Sequence, residues 1–534
     1  MDVAPVLIDG KWRAADAEGT FRAENPAKGE TLPLAFPINR WSDVDHALTA
    51  ATKAAAELRT TDPAMITKIA AFLEAYASNI EANAAAIVAA AAEETALPVT
   101  PRLKDVELPR TTNQLRQAAA AVREESWRNA TLDLEKNIRS CFAPIGPVVI
   151  FGPNNFPFAF NGISGGDFAA AIAAGNPVIA KAHPLHPNTT RLLAEQALKA
   201  LEQTGLPLAT VQLIYNVSNE TGLRLVSDPR VGAIGFTGSR NAGLHLKRAA
   251  EDAGNPIYLE MSSINPVIFL PGAIAERPDQ LATELVDSCL AGSGQFCTSP
   301  NLFLVFETPQ NKPQTEAFLA QIAKSFSERP AQPLLSATGR KQLHQGVTAL
   351  TTAGAQLVTG GANAPGEGYR YANTLLRVTA AQFLAAPHDL QREIFGNATL
   401  AIVVKTQQEL QSILHLFEGN LTGTVYSAKS GAAKSGDDEL YNAIAPLLRE
   451  KVGRLLNDKM PTGVAVSPAM NHGGPYPSTS HSNSTSVGIP ASIHRFAKLE
   501  CYDAVRPERL PAILRDTITN PNTWRSINGA WIKG

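Results

Sequence analysis

Cysteine is scarce in this chain: four among 534 residues, at positions 141, 289, 297 and 501. No two of them form a C-x-x-C pair, so a disulfide framework is excluded, and no metal site is expected. Charge is thin as well, at 18% against a typical value of about 25%. So low a charged fraction suits a subunit that buries surface against copies of itself. Neither sign dominates. Lysine and arginine total 47, aspartate and glutamate 49, for a net charge of −2, which gives no electrostatic reason to expect a nucleic acid or a membrane as partner. Long apolar runs are missing too. The alanine-rich stretch Ala84–Ala92 is bounded by Asn83 and Glu93 and is too short to span a bilayer. The start, MDVAPVLIDGKWRAADAEG, lacks a basic segment followed by an apolar one, so a cytoplasmic, reduced protein is expected. Cys141 and Cys289 are expected to be buried and inert, and Cys501 carries no assignment.

At roughly 100–200 residues per domain the length predicts two to four domains. The first hundred residues read as a short strand entry, Val6, Leu7 and Ile8, followed by helices. Asp62-Pro63 predicts a helix start, and Ile66, Ile69, Leu73, Tyr76 and Ile80 follow as a 3.6-residue stripe. From residue 144 the pattern changes. Apolar strands at Val148–Phe151, Val178–Ala182, Val211–Tyr215, Val231–Phe236 and Ile257–Met261 alternate with helical segments such as Asn188–Gln203, for which Asn188 is the expected cap. A second run begins with Val267–Leu270 and Leu302–Phe306, and its helix carries Phe318, Ile322 and Phe326. Such alternation predicts parallel sheets with ligands at the carboxyl ends of the strands. The stretch His472–Thr485, rich in Gly, Pro, Ser and Thr, reads as an ordered loop with a role, given Tyr476 and the histidines embedded in it.

The dinucleotide fingerprint G-x-G-x-x-G is also absent from the strand ends. Three other stretches stand there: Phe151-Gly-Pro-Asn-Asn-Phe-Pro157, Lys181-Ala-His-Pro184 and Gly235-Phe-Thr-Gly-Ser-Arg-Asn-Ala-Gly243. The last places Gly238 and Gly243 around a helix start, where free N–H groups favour a phosphate. Glu260 closes an apolar strand, and apolar surroundings predict a raised proton affinity that suits a general base. Cys297 follows Gly292-Ser-Gly-Gln-Phe, and a thiol where a glycine-rich loop begins a helix would be favoured as thiolate. On these residues alone Cys297 reads equally well as a core cysteine, and Glu260 as a surface acid.

Taken together, Asn155 in Asn-Phe-Pro, Lys181, Gly238 and Gly243, Glu260, Cys297 and Glu393-Ile-Phe-Gly396 resemble the aldehyde dehydrogenase superfamily over nearly the whole chain. Several motifs resemble its α-ketoglutaric semialdehyde (2,5-dioxovalerate) dehydrogenase branch: Lys181-Ala-His-Pro, Glu260-Met-Ser-Ser-Ile-Asn-Pro-Val, Gly294-Gln-Phe-Cys-Thr, His472-Gly-Gly-Pro-Tyr-Pro, Arg110-Thr-Thr-Asn-Gln-Leu-Arg116 and Trp524-Arg-Ser-Ile-Asn-Gly. The resemblance implies an α/β fold of two domains with parallel-rich sheets and a small β oligomerisation arm. Residues 1–127 and 146–265 would bind the cofactor, 266–480 carry the catalytic cysteine, and 128–145 with 481–534 form the arm and tail of a homodimer or homotetramer.

It also implies a chemistry. Cys297 attacks the aldehyde, the oxyanion is held by the Asn155 amide and the Cys297 N–H, and Glu260 activates the water that hydrolyses the thioester. Lys181 would hold ribose or phosphate, Ser239 the pyrophosphate and Glu393 the nicotinamide ribose, with Phe395 packed nearby. The chain departs from most relatives at Ser262-Ser263, at Asn154 and at Pro184, where NAD-preferring members carry a glutamate. Without that carboxylate, NADP is the preferred reading over NAD, with Arg240 or His183 as helpers. For the far end of a carboxylated semialdehyde the candidates are Arg110, Gln114 and Ser299, with Phe156, Phe158, Phe160 and Phe296 as an apolar wall. That wall also suits fatty or aromatic aldehydes. An acylating, coenzyme A-dependent relative is the more remote alternative, because a water-activating Glu260 would divert the acyl group.

Overall fold

The alternation that begins near residue 144 builds a seven-stranded sheet in the computed structural model, which describes residues 3–59, 63–430, 435–518 and 520–534. Five strands run parallel in the spatial order Ile257–Glu260, Ala233–Thr237, Val148–Phe151, Val178–Lys181 and Val211–Ile214. Val6–Ile8 joins the last of these antiparallel, and Lys11–Arg13 pairs with it. These strands are almost wholly buried, as expected of a sheet covered by helices on both faces. Strand order reverses at Val148–Phe151, so the crevice beyond its carboxyl end is a topological switch point.

A second sheet is parallel through Thr374–Thr379, Ala398–Val404, Leu302–Phe306, Val267–Phe269, Asn420–Tyr426 and Val452–Asn457, with Gln356–Thr359 antiparallel at one edge. A five-stranded sheet stands apart, in the order Ala497–Asp503, Ile138–Pro144, Thr131–Asp133, Trp524–Ile527 and Ala530–Lys533. Its edge strands expose Leu499 (62%) and Trp531 (58%), large apolar side chains facing solvent in a single subunit. Residues 481–496, grouped above with the arm, pack differently. Ile489, Ile493 and Phe496 join the core beneath the first sheet, and the arm strand begins only at Ala497.

Two local expectations change. Asp62 lies outside the described residues; the helix runs Pro63–Ala82 and buries Ile69, Leu73, Tyr76 and Ile80, while Ile66 is half-buried. Asn188 does not cap its helix, which starts at Pro187. The buried carboxylate of Glu94 does so from helix Ala84–Thr95, accepting the N–H groups of Asn188 and Thr189, both at 2.8 Å, and the Thr189 hydroxyl at 2.7 Å. A negative charge there also complements the helix dipole. Cys141 and Cys289 are buried as expected. Among the described residues no helix is long and apolar enough to cross a membrane.

Candidate active site

The chain leaves strand Val148–Phe151 and folds back at once. A Cβ on Gly152 would sit 2.7 Å from the Gly162 nitrogen and 2.8 Å from the Phe160 oxygen, so only glycine fits the turn. The loop is pinned by a fully buried carboxylate. Glu107 accepts the N–H groups of Phe158 (2.8 Å) and Ala159 (3.0 Å) and pairs with Arg102, whose Nη2 reaches the Asn155 carbonyl at 3.0 Å. Asn155 is thereby presented at the seam between the two large sheets, where its Nδ2 donates to the carbonyl of Gln295 at 2.9 Å.

Gln295 belongs to the loop that carries Cys297. Gly292, Ser293 and Gly294 all adopt positive φ (56°, 58° and 68°), and a Cβ on Gly294 would meet the Gly396 carbonyl at 2.1 Å. The cysteine loop is thus laid directly on the Glu393–Gly396 segment. Cys297 is half-buried in a turn that leads into strand Leu302–Phe306, and its carbonyl is held by Asn265 Nδ2 at 2.9 Å. The expectation of a helix N-terminus at Cys297 therefore fails. Burial, reinforced by the charge of Glu260, pushes its thiol well above the ordinary value.

Glu260 ends strand Ile257–Glu260 and is 5% exposed. Burial acts to raise its proton affinity, as expected from the apolar strand. The charge and hydrogen bond of His472, the Ser486 hydroxyl (2.8 Å) and the charge of Arg495 outweigh burial and hold the carboxyl below its usual value. The shift has the opposite sign to the sequence reading. His472 Nε2 stands 3.0 Å from Glu260 Oε1 and 3.3 Å from Cys297 Sγ. Among the described residues this is the one group of three His, Cys or acidic side chains whose ligand-capable atoms converge, all within 4.8 Å.

His472 opens the loop His472–Thr485, which lies along the carboxyl end of the Glu260 strand. Ser478 accepts the Met261 N–H at 2.7 Å, the Ser480 N–H reaches the Leu259 carbonyl at 3.2 Å, and Thr479 bridges Glu260.

Most of the residues read as cofactor contacts stand at or just beyond strand ends of the first sheet. Lys181, at its strand end, makes no ion pair among the described residues, and loss of solvation pulls its ammonium down to about 8. His183, half-buried, is held well below the ordinary imidazole value by burial, by His186 and by Lys181; Pro184 follows it. A cation held without an anion is suited to a phosphate. Ser239 is exposed and caps helix Arg240–Asp252, its hydroxyl accepting from the Ala242 N–H at 3.4 Å. Gly238 and Gly243 lie against the Phe236 ring, with no room for a Cβ on Gly238 at 2.9 Å. Arg240 pairs with Glu418 at 2.8 Å. Glu393 is pushed up to about 7 by burial, despite hydrogen bonds from Ser262 and the Ser263 N–H. It lines a cavity of about 220 Å³ together with Arg240, Ser262 and Ser263. Ser262 and Ser263 thus tie Glu393 to the segment that follows the Glu260 strand. Phe395 is half-buried two residues on.

On the substrate side, Phe156 stacks edge-on against Phe160 (5.2 Å) and Phe296 (5.1 Å), and Val464, Val466, Met470 and Val487 complete this apolar group. Phe158 is not part of the wall; it packs in the core of the first sheet. Arg110 lies over the Phe160 ring at 5.1 Å with its Nη2 buried and unpaired, and Cys297 and Glu260 both act on its charge. Gln114 is buried and committed, accepting from Arg110 Nε at 3.4 Å and donating to the Ala159 carbonyl at 3.1 Å. The Ser299 hydroxyl is likewise used, accepting the Phe296 N–H at 3.3 Å. The sequence reading missed Arg454, a second cation whose charge is felt at Cys297, and gave His472 no role. A histidine set among glycines and prolines was a usable signal for His472. For Arg454 none existed.

The model of the aldehyde dehydrogenase family matches residues 12–442. The chain belongs to the aldehyde dehydrogenase family. This aldehyde dehydrogenase is 36% identical, over 97% of both chains, to alpha-ketoglutaric semialdehyde dehydrogenase 2 of Azospirillum brasilense. It is 34% identical, over 98% of both, to alpha-ketoglutaric semialdehyde dehydrogenase of Acinetobacter baylyi. Its fold matches that of an aldehyde dehydrogenase C mutant from Pseudomonas syringae, solved with NAD+ and octanal, with a TM-score of 0.78 at 22% identity over 95% of this chain and 98% of that one.

Proposed function

We propose that this aldehyde dehydrogenase oxidises a carboxylated semialdehyde such as 2,5-dioxovalerate to the acid, using NADP in preference to NAD. The observation that carries the reading is the meeting of Asn155, Glu260 and Cys297, from three separate segments, at the seam of the two sheets. Cys297 Sγ adds to the carbonyl carbon. The Asn155 amide, which has a second N–H beyond the one given to Gln295, and the Cys297 N–H stabilise the oxyanion, at a few kcal/mol per donor. When bound, the nicotinamide accepts the hydride that leaves this adduct as it becomes a thioester. Glu260, ionised at neutral pH because it is held below its usual value, takes a proton from the hydrolysing water. Lys181, Ser239 and Glu393 would hold the dinucleotide. The same reading makes the protein a cytoplasmic homodimer or homotetramer joined through its arm, supported by the apolar side chains on the arm's edge strands.

Arg110 supplies the cation for the distal carboxylate. A charged hydrogen bond is worth about 1.5–3 kcal/mol, so Arg110→Gln is expected to raise KM for 2,5-dioxovalerate about 10- to 100-fold and to leave octanal nearly unchanged. Assays of the reduced cofactor across 2,5-dioxovalerate, glutarate semialdehyde and octanal, with NADP or NAD and no coenzyme A, test the whole reading. Preference for octanal would favour the apolar wall as the determinant instead, and a requirement for coenzyme A would overturn hydrolysis.

Lys181 gives cofactor choice a pH signature. Its ammonium titrates near 8 in the free protein, and a 2′-phosphate binds best to the charged form. NADP affinity should therefore fall as the pH rises through that value, by up to about tenfold per pH unit. Fluorescence titrations of wild type and Lys181→Met, which should show a flat profile, check this.

A further inference from the structure

We propose that His472 is a catalytic residue of this enzyme: it takes the thiol proton of Cys297, and Glu260 stabilises the imidazolium that results. The inference rests on Cys297 being the nucleophile. Its basis is a single nitrogen. Nε2 of His472 faces Sγ at 3.3 Å and Glu260 Oε1 at 3.0 Å, so a proton moved from sulfur to that nitrogen arrives beside a carboxylate.

The ring is fixed for this. The His472 N–H donates to the Thr485 hydroxyl at 2.8 Å, and its carbonyl accepts from the Ser486 N–H (3.1 Å) and hydroxyl (3.0 Å). Phe160 covers one side, ring centroids 5.7 Å apart. Ser486 also holds the second oxygen of Glu260, so one serine sets both the histidine's backbone and the carboxylate. The thiol needs such a partner: burial holds it protonated, and no helix start is present to favour the thiolate. The charges that face this set are Arg110, Arg454 and Glu393 around Cys297, and Arg495 behind Glu260.

The proton balance closes over a turnover. The S–H bond breaks and an N–H bond forms at Nε2 while the sulfur pair makes the C–S bond. After hydride has left, water adds to the thioester carbon and gives a proton to Glu260. The C–S bond breaks beside the protonated histidine, which returns its proton to sulfur. Glu260 then releases the water proton to solvent, and the histidine and the thiol are both restored.

The test follows Cys297 directly. Its alkylation by iodoacetamide is measured against pH in wild type and His472→Gln, with the modified peptide resolved by mass spectrometry because Cys501 is exposed. His472→Gln should slow alkylation of Cys297 near pH 7 by about a hundredfold, with the gap closing at alkaline pH, and kcat should follow the same profile. Coincident alkylation profiles for the two proteins would overturn the proposal, since a merely structural histidine would leave the thiol's titration in place. A second measurement leaves His472 intact: the solvent deuterium isotope effect on alkylation of Cys297 at neutral pH, where a proton must leave sulfur as the new bond to sulfur forms. A normal effect is expected in wild type; its absence would overturn the proposal. Should full alkylation of Cys297 leave turnover intact, the reading of the nucleophile fails, which is a different result from either.

Discussion

Cys297→Ala is expected to abolish aldehyde oxidation, lowering kcat by about 10⁴-fold or more, while cofactor binding stays within about twofold. The residue reads out the chemistry cleanly because little else depends on its sulfur. Asn265 and Asn155 hold the loop by donating to the backbone carbonyls of Cys297 and Gln295, and Sγ faces His472 and Glu260. Removing one half-buried atom leaves those anchors in place. What remains of the site, the Asn155 amide and the backbone N–H, can polarise a carbonyl but cannot make the adduct from which hydride departs. Steady-state formation of the reduced cofactor and an equilibrium cofactor titration on the same sample separate the two effects. Cys501→Ala, on the exposed arm strand, is the control and should match wild type. A Cys297→Ala protein that kept a tenth of its activity would show that another group attacks the aldehyde.

Glu260→Gln should split the reaction in two. Hydride transfer needs Cys297 and only the supporting charge of Glu260 beside His472, so each subunit is expected to yield one reduced cofactor, more slowly than wild type, and then stall as the thioester. Deacylation, and with it steady-state kcat, should fall about 10²- to 10⁴-fold. Stopped-flow traces would show a burst near one equivalent, and intact-protein mass spectrometry the acyl group on Cys297. The direction of the carboxyl shift adds a pH signature. Because Glu260 is held below its usual value, wild-type deacylation should be level through neutral pH and decline only in acid, as the base is protonated. A variant that releases acid as fast as wild type would remove Glu260 from the role of water-activating base.

The strands were legible because sheets covered on both faces demand continuous apolar runs, and Val148–Phe151 and Leu302–Phe306 carry no competing pattern. Asn155, Glu260 and Cys297 stand out in the sequence through their motifs, and the fold brings the segments that carry them to one seam. What stayed hidden depends on partners distant in sequence. The helix at Pro187 takes its cap from Glu94, which no local pattern around Asn188 can reveal. The sign of the Glu260 shift was misread because the deciding neighbour belongs to another segment, and that same neighbour, His472, stands 175 positions from Cys297. Gln114 and Ser299 had suitable chemistry for substrate, and only the folded chain shows their hydrogen bonds already spent. Arg454 is one arginine on a strand, with no pattern to set it apart.

The placement of Cys297, Glu260 and Asn155 has a consequence for judging the quality of a preparation. The cysteine precedes one sheet, the carboxylate ends another, and the loop from His472 crosses to the second of these. Lys181 and Ser239, two of the three residues proposed to hold the dinucleotide, stand at strand ends of the first sheet, and Glu393 comes from the other half. On that reading a molecule whose two halves are correctly folded but wrongly seated would still take up dinucleotide, though more weakly, and would be counted as partly sound by titration. Turnover senses the seam directly. Titrated sites and burst equivalents, compared on one sample, become a gauge of assembly that neither provides separately.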